Sequence, residues 1–259
     1  MSGCVAGRFA RFVDNHPGMT EELPLVHSTR CEKFLEIAKT RSLAPQPCPV
    51  FNEPLLYLFY GRPAYRSKIG SAPSTDIAYC PVCFVFKPYT ISAEVIRVFP
   101  FDSGASKGGL FEPHVSRTDT DNFQLSTTLE SARRATSLFF DTNHKFFLGE
   151  PRRGLIIPPT EEEALSYYGL ISHDGEDDYD DRRSAIEVQV SIAISLRDIL
   201  LAVILPLSFL QDANVKKVVV QEWRTYPITY STVRGTIPRD YARDVSVKLE
   251  SFLKEGQYL

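Results

Sequence analysis

Apolar residues recur along this chain at two spacings, one typical of β-strands and one typical of α-helices. Alternating or continuous apolar runs predict strands, the first around His27 and the others at residues 57–60, 77–87, 95–99, 186–194, 202–205 and 215–220. Helical spacing predicts helices at residues 131–140, 161–168 and 241–253, and an earlier one that runs to Ala38 with Ser28 or Thr29 as its N-cap. Prolines at positions 45, 47, 49 and 54 predict an extended loop. Because helices and strands do not alternate in a regular βαβ order, the pattern predicts an α+β fold.

An apolar run, continuous from residue 199 to residue 205 and extended to residue 210, has some of the character of a membrane span. It is too short, because a span needs about 20 apolar residues. Pro206 also interrupts it. We therefore expect a buried strand at residues 201–205 and no association with a membrane.

Composition is that of a globular protein. The chain has 259 residues, of which 43% are hydrophobic and 24% are charged, and its formal net charge is -3. This balance gives no overall electrostatic attraction to nucleic acid or to an anionic membrane. We expect a flexible N-terminal segment at residues 1–20, followed by a single domain at residues 21–259.

The chain has five cysteines, an odd number, and its first 20 residues contain no long apolar segment. These features predict reduced thiols and a cytoplasmic location. Cys80 and Cys83 form a CxxC pair, but no second pair or HxxxH follows at zinc-ligand spacing. Buried core thiols are therefore the favoured interpretation, and a zinc-dependent hydrolase is the weaker alternative.

Three short segments contain most of the residues that are candidates for a functional site. Residues 57–66 (YLFYGRPAYR) place tyrosines and arginines around one glycine and one proline. Residues 25–30 (LVHSTR) hold a single histidine, and residues 182–190 (RRSAIEVQV) hold one carboxylate within a strand-like alternation. The chain lacks both GxGxxG and GxxxxGK[ST], so a nucleotide would have to bind on another scaffold.

These segments resemble the NAD-binding triad of ADP-ribosyltransferases. Residues 59–65 (FYGRPAY) look like the FGKGxYF element of poly-ADP-ribose-polymerase-type enzymes, which makes Tyr65 the counterpart of their stacking tyrosine. They also look like the FYFxPRSPM element of bacterial DarT-type toxins, which modify DNA thymidine, and the essential arginine of that element falls on Arg62. Which of the two is the principal residue of this motif stays open.

The other two segments are similar to DarT-type elements as well. Residues 25–29 match an apolar-His-x-Thr start, and residues 183–190 resemble the Arg-x-x-Ala-Glu-apolar element, whose catalytic glutamate falls on Glu187. One extra residue separates Ala185 from Glu187, and Pro63-Ala64 stands where those toxins have Ser-Pro. The matched segments cover about a tenth of the chain.

The resemblance implies a split mixed or antiparallel sheet with flanking helices, and NAD as co-substrate. Catalysis would fall to Glu187, which stabilises the ribosyl cation, and to Arg62. The implied NAD-binding residues are His27, Thr29, Tyr60 and Tyr65. ADP-ribose would pass to an acceptor, with NAD hydrolysis as a second activity and no metal. Such enzymes are often toxins or defence effectors, so a neutralising partner protein is expected by analogy alone.

An acidic segment directly precedes the Glu187 strand. Residues 173–181 contain six carboxylates in nine positions. Such a segment beside the cleft would repel phosphate backbones, so a protein or small-molecule acceptor is favoured over nucleic acid. The acidic run is also typical of a solvated surface loop.

Two alternatives remain at this stage. Glu222, in the pair Gln221-Glu222, is a rival catalytic carboxylate, since some transferases carry a Gln-Glu pair. The rival function is a catalytically inactive binding module on the same fold, which would tolerate Glu187→Gln.

Overall fold

The computed structural model describes residues 7–64, 76–173, 181–233 and 235–259. They form an α+β fold in which helices flank a mixed eight-stranded sheet. The strands are β1 (Leu25–Arg30), β2 (Ser42–Leu43), β3 (Gln46–Cys48), β4 (Glu53–Tyr60), β5 (Pro81–Phe86), β6 (Val95–Phe99), β7 (Glu187–Val190), β8 (Ile194–Ser195), β9 (Leu200–Pro206) and β10 (Tyr226–Tyr230). The predicted fold class is confirmed.

In the described chain one helix precedes the first strand, one follows the last, and the others lie between strands in irregular groups. The helices are α1 (Arg8–Asp14), α2 (Cys31–Thr40), α3 (Ser103–Lys107), α4 (Leu129–Phe140), α5 (Asn143–Leu148), α6 (Glu162–Ser172), α7 (Leu207–Leu210), α8 (Ala213–Lys216) and α9 (Tyr241–Glu255). The predicted C-terminal amphipathic helix corresponds to α9, which packs against β5, β9 and β10. None of the helices in the described ranges is both long and apolar enough to cross a bilayer.

The order across the main sheet is β10-β9-β5-β1-β4-β7-β6, with β3 paired to β4 outside this path. The β9–β10 pair is parallel and the other pairs are antiparallel. Strands β2 and β8 form a separate two-stranded sheet. Every residue of β5, an interior strand of the sheet, is buried, and both α2 and α9 pack against it.

The sheet opens between β1 and β4. Strand β1 pairs with β5 along its whole length, but with β4 through Leu25↔Tyr60 and Val26↔Phe59. Beyond Val26 the two strands separate, while β4 continues in register with β7. Leu25 and Val26 are buried and the last four residues of β1 are half-buried, as expected for a strand end that borders an opening.

Three local predictions need correction. Residues 215–220, predicted as a strand, belong to α8 and to a π-helix at Lys217–Glu222. The carboxylate of Asp212 accepts hydrogen bonds from the backbone of Asn214 and Val215, and this N-cap starts a helix that the β-branched residues then continue. The cap predicted for α2 is also absent: its N-cap position is Arg30, without a side-chain bond, because Ser28 and Thr29 lie in β1. Residues 46–48 of the predicted loop form β3.

The N-terminal part of the chain differs from the flexible segment predicted for residues 1–20. Residues 8–14 form α1, and Phe9 is fully buried. Its ring contacts Phe123, Phe139 and Tyr167, which come from three different segments. Phe9, Ala10 and Val13 share one helix face, so this short amphipathic helix is part of the core.

Candidate active site

Two adjoining cavities occupy the opening between β1 and β4. The first, here the polar cavity, has a volume of about 580 Å³ and is lined by residues that include Phe59, Asp102 and Glu187. The second, here the apolar cavity, has a volume of about 450 Å³ and is lined by His27 and by aliphatic and proline side chains. Both cavities share the lining residues Ser28, Thr29, Lys33 and Tyr57. Together they form one elongated cleft.

Glu187 is the most constrained group in this cleft. It lies on β7 opposite Phe59 of β4 and Phe99 of β6, and it is 1% exposed. Its Oε1 accepts hydrogen bonds from Ser103 Oγ at 2.6 Å and from Gln189 Nε2 at 2.7 Å. Its Oε2 accepts one from the backbone N–H of Ser103 at 3.2 Å. A buried carboxyl with three donors is held in a single orientation.

Burial raises the pKa of Glu187 to about 8, and the negative charge of nearby Asp102 adds to this effect. The hydrogen bonds from Ser103 and Gln189 act in the opposite direction, because they favour the carboxylate. A pKa near 8 means that the carboxyl of Glu187 is mostly protonated at neutral pH. A positive charge placed beside it would favour its ionised form.

Three neighbours of Glu187 were not among the site residues predicted from sequence. Gln189 could have been found, because it lies two positions along the same strand and therefore on the same face. Asp102 and Ser103 carried no comparable signal, since they lie more than 80 residues before Glu187 and follow β6. A main-chain bond from Asp102 N to Arg182 O, 3.1 Å long, holds that segment against the turn that precedes β7.

His27 faces the apolar cavity and reaches across the opening. Its Nδ1 lies 2.8 Å from the main-chain oxygen of Tyr57. A carbonyl oxygen only accepts, so Nδ1 carries the proton and Nε2 is left as an acceptor. Burial lowers the pKa of His27, which keeps the ring neutral near pH 7. Thr29, two residues further along β1, lies on the same face and lines both cavities.

Tyr60 lies outside the cleft, in contrast to the NAD-binding role predicted for it. It is fully buried, and its hydroxyl accepts a hydrogen bond from the backbone N–H of Leu23 at 2.9 Å. The alternation of β4 explains this placement, because Tyr57 and Phe59 point into the cleft and the side chain of Tyr60 points to the opposite face.

Arg62 is also turned away from the cleft. It is 6% exposed and donates hydrogen bonds to the main-chain oxygen of Phe146 at 3.2 Å and to Ser184 Oγ at 2.8 Å. These contacts join the end of β4 to α5 and to the turn before β7. The rival second-motif residue, Tyr65, lies outside the described residues, as do residues 174–180 of the acidic segment.

Glu222 does not belong to the same site as Glu187. It is half-buried at the end of the π-helix and forms an ion pair with Arg41. The adjacent Trp223 packs edge-on against Phe34 and is part of the core. The geometry of the cleft therefore favours Glu187 as the candidate catalytic carboxylate.

The CxxC pair lies in the core. Burial raises the pKa of Cys80 to about 11 and that of Cys83 to about 12, so both are thiols. Within residues 7–64, 76–173, 181–233 and 235–259, no cluster of three or more His, Cys, Asp or Glu side chains is arranged to hold a metal ion.

Comparisons with family models, with curated proteins and with solved structures returned no match to this chain.

Proposed function

We propose that this protein is an NAD-dependent ADP-ribosyltransferase. It would cleave the bond between nicotinamide and ribose and transfer ADP-ribose to an acceptor, with NAD hydrolysis as a second activity. The observation that carries the proposal is the position of Glu187. Its carboxyl is held on β7 by Ser103 and Gln189, where it lines the polar cavity of about 580 Å³.

The proposed chemistry uses a carboxylate in this place. When the C1′–N bond of NAD breaks, its electron pair moves to the ring nitrogen and neutralises the pyridinium. The ribose is left with an oxocarbenium-like charge, which the Glu187 carboxylate stabilises. NAD itself brings the positive nicotinamide ring to the cleft, so binding would lower the pKa of Glu187 from about 8 and release its proton.

The aromatic and polar lining of the cleft supplies contacts for the rest of the dinucleotide. Phe59 lies beside Glu187 in the polar cavity and offers a face for the nicotinamide ring. His27 Nε2 and the hydroxyl of Thr29 are placed to bind ribose hydroxyls, as the resemblance implies.

Charge in the polar cavity suits a pyrophosphate. Three cationic side chains line it: Arg30, Lys33 and Arg182. Arg30 is paired with Glu32 and Lys33 with Glu36, so a bound pyrophosphate would take the place of these carboxylates beside the two cations. Arg62, buried against Phe146, has a structural role in this proposal instead of the catalytic one.

The acceptor is proposed to be a protein or a small molecule, on the basis of the acidic composition of residues 173–181. Water would serve as acceptor in the hydrolytic reaction. A toxin or defence role, and with it a neutralising partner protein, remains a proposal by analogy.

The deciding experiment measures nicotinamide release from NAD by wild type, Glu187→Gln and Glu222→Gln, each with and without cell lysate. We expect turnover by wild type and by Glu222→Gln, and a loss of at least about 100-fold in Glu187→Gln. Dependence on lysate would indicate a specific acceptor. NAD binding by calorimetry without turnover would favour the inactive binding module over the enzyme. The absence of both binding and turnover would refute the NAD proposal.

A further inference from the structure

A β-bulge in β6 places Arg97 beside Gln189. The register of β6 on β7 runs Val95↔Val190 and then Arg97↔Gln189, so Ile96 is an extra residue. In regular pairing Ile96 would lie opposite Gln189. Directly opposed residues of antiparallel strands lie on the same face of the sheet, and Arg97 Nη1 donates a hydrogen bond to Gln189 Oε1 at 3.1 Å.

Arg97 is itself held by two further contacts. Its guanidinium pairs with Glu53 of β4 and lies 4.8 Å from the centre of the Phe51 ring. These contacts leave it half-buried at the outer end of a chain of hydrogen bonds. The chain runs from Arg97 through Gln189 to Glu187, with Gln189 fully buried.

This chain fixes which way the amide of Gln189 points. A guanidinium has donors and no acceptor, so the oxygen of the Gln189 amide must face Arg97. The NH₂ group must then face Glu187, and its Nε2 lies 2.7 Å from Glu187 Oε1. With the opposite orientation, the amide oxygen would face Glu187 and could only accept the proton of a neutral carboxyl.

We propose that Arg97 is a positioning residue for Glu187 and acts through the amide of Gln189. The inference rests on the proposed function, in which the ionised form of Glu187 is the active one. Arg97, together with Ser103 Oγ, which accepts from Gln189 Nε2 at 3.3 Å, holds the amide in the orientation that donates to the carboxylate. This orientation favours the ionised form of Glu187 when substrate binds. Arg97 itself does not touch the substrate.

The principal test is a ¹³C NMR titration of the Glu187 side-chain carboxyl, assigned through its absence in Glu187→Gln. Arg97→Met removes the donors but keeps an unbranched side chain to pack on Phe51. We expect the midpoint of Glu187 to rise by about one pH unit, a tenfold change in the ionisation equilibrium. Arg97→Lys, a cation with donors only, is expected to restore the wild-type midpoint.

Other charges around Glu187 require a control. Asp102, Arg182 and Tyr57 line the same cavity, and loss of the Arg97 charge could act on Glu187 through space. A double-mutant cycle with Gln189→Met separates the two effects. If Arg97 acts through the amide, Arg97→Met causes no further shift in the Gln189→Met background; a shift of the same size there would overturn the proposal.

A second substitution covers the case in which Arg97→Met does not fold. Arg97→Gln keeps hydrogen bonding to Gln189 but accepts as well as donates, so it no longer dictates the orientation of the amide. It too is expected to raise the midpoint. An unchanged midpoint in either folded variant would refute the inference.

Steady-state kinetics provide a second test that does not depend on the titration. In an active protein, Arg97→Met is expected to lower kcat by about tenfold at pH 7, to leave KM nearly unchanged, and to move the pH profile upwards. Should the protein not turn over NAD, the titration still reports on Arg97 and Gln189. Failure of the proposed function is thus distinguishable from failure of this inference.

Discussion

His27 Nδ1 bonds to the main-chain oxygen of Tyr57 at 2.8 Å, so a side chain of β1 joins the backbone of β4 just past the point where the strands stop pairing. The contact replaces a main-chain bond that the diverging strands cannot make. It also fixes the tautomer of His27 and leaves Nε2 facing the cleft as an acceptor.

Two substitutions of His27 separate these two roles. His27→Asn can still donate to the Tyr57 oxygen, because its amide nitrogen occupies the place of Nδ1, but it lacks the outer acceptor. We expect it to retain its stability while KM for NAD rises about tenfold. His27→Ala leaves a buried carbonyl unpaired and is expected to cost about 1–3 kcal/mol in addition. Chemical denaturation and steady-state kinetics measure both effects, and equal stability of the two variants would contradict the bridging role.

Activity is expected to depend on pH through Glu187. If the ionised form is the active one, as the proposed mechanism requires, kcat/KM should rise about tenfold per pH unit below a midpoint near 8 and level off above it. The midpoint in kcat should be lower, since the positive nicotinamide ring favours ionisation in the complex. Initial rates of nicotinamide release between pH 5 and 9 test both statements. A profile that falls through this range would exclude a carboxylate as the active form.

Stability is expected to show the opposite trend. The pKa of Glu187 is raised from an ordinary value of 4.5 to about 8, so between these values the folded protein holds a proton that the unfolded chain releases. The contribution of Glu187 to stability is therefore largest below about pH 4.5 and is lost as pH rises through 8. We expect the unfolding free energy of wild type, relative to Glu187→Gln, to fall by a few kcal/mol over this range. A constant difference between the two proteins would show that the carboxyl titrates normally.

Arg62 is expected to matter for stability. Arg62→Met leaves the main-chain oxygen of Phe146 and the hydroxyl of Ser184 without a buried partner, at a cost of about 2–4 kcal/mol. Thermal unfolding measures the loss, with the exposed, ion-paired Arg117→Met as the matched control. Loss of NAD turnover at unchanged stability would instead support the catalytic role that the DarT-type resemblance assigns to Arg62.

The first helix is expected to be required for folding. Phe9→Ala removes a ring that contacts Phe123, Phe139 and Tyr167, and we expect a loss of about 3–5 kcal/mol. Met19→Ala, at a position that is 43% exposed, should change stability by less than about 0.5 kcal/mol. Equal effects of the two substitutions would support the flexible segment that the sequence predicts for residues 1–20.

Periodicity predicted the parts of the molecule where burial alone decides structure. The strand at residues 95–99 and the amphipathic helix α9 are of this kind. It failed at residues 215–220, because the carboxylate of Asp212 starts a helix and the valines that follow fit either structure. Within that segment Val218 and Val219 are both buried, which no single face of a half-buried strand would allow.

The candidate site was predictable only in part, for a different physical reason. The resemblance to the Arg-x-x-Ala-Glu element singled out Glu187, and the alternation of β7 could have added Gln189, two positions along the same strand. Ser103 approaches from 84 positions earlier in the chain, and no local pattern reports such a contact. Tyr60 and Arg62 were assigned from a motif, and the face each side chain takes depends on the register of β4.

The short stretch over which β1 and β4 pair has a consequence for local unfolding of the sheet. Two residue pairs, the main-chain bond from Gly61 N to Pro24 O and the bond from His27 to Tyr57 join the β5 side of the sheet to the β7 side. Amide hydrogen exchange at Val26 and Phe59 therefore reports on the separation of these halves, independently of global unfolding. A dinucleotide bound in the cleft would contact both halves and hold them together. Slower exchange at these two amides would then reveal binding, even in a variant that performs no chemistry.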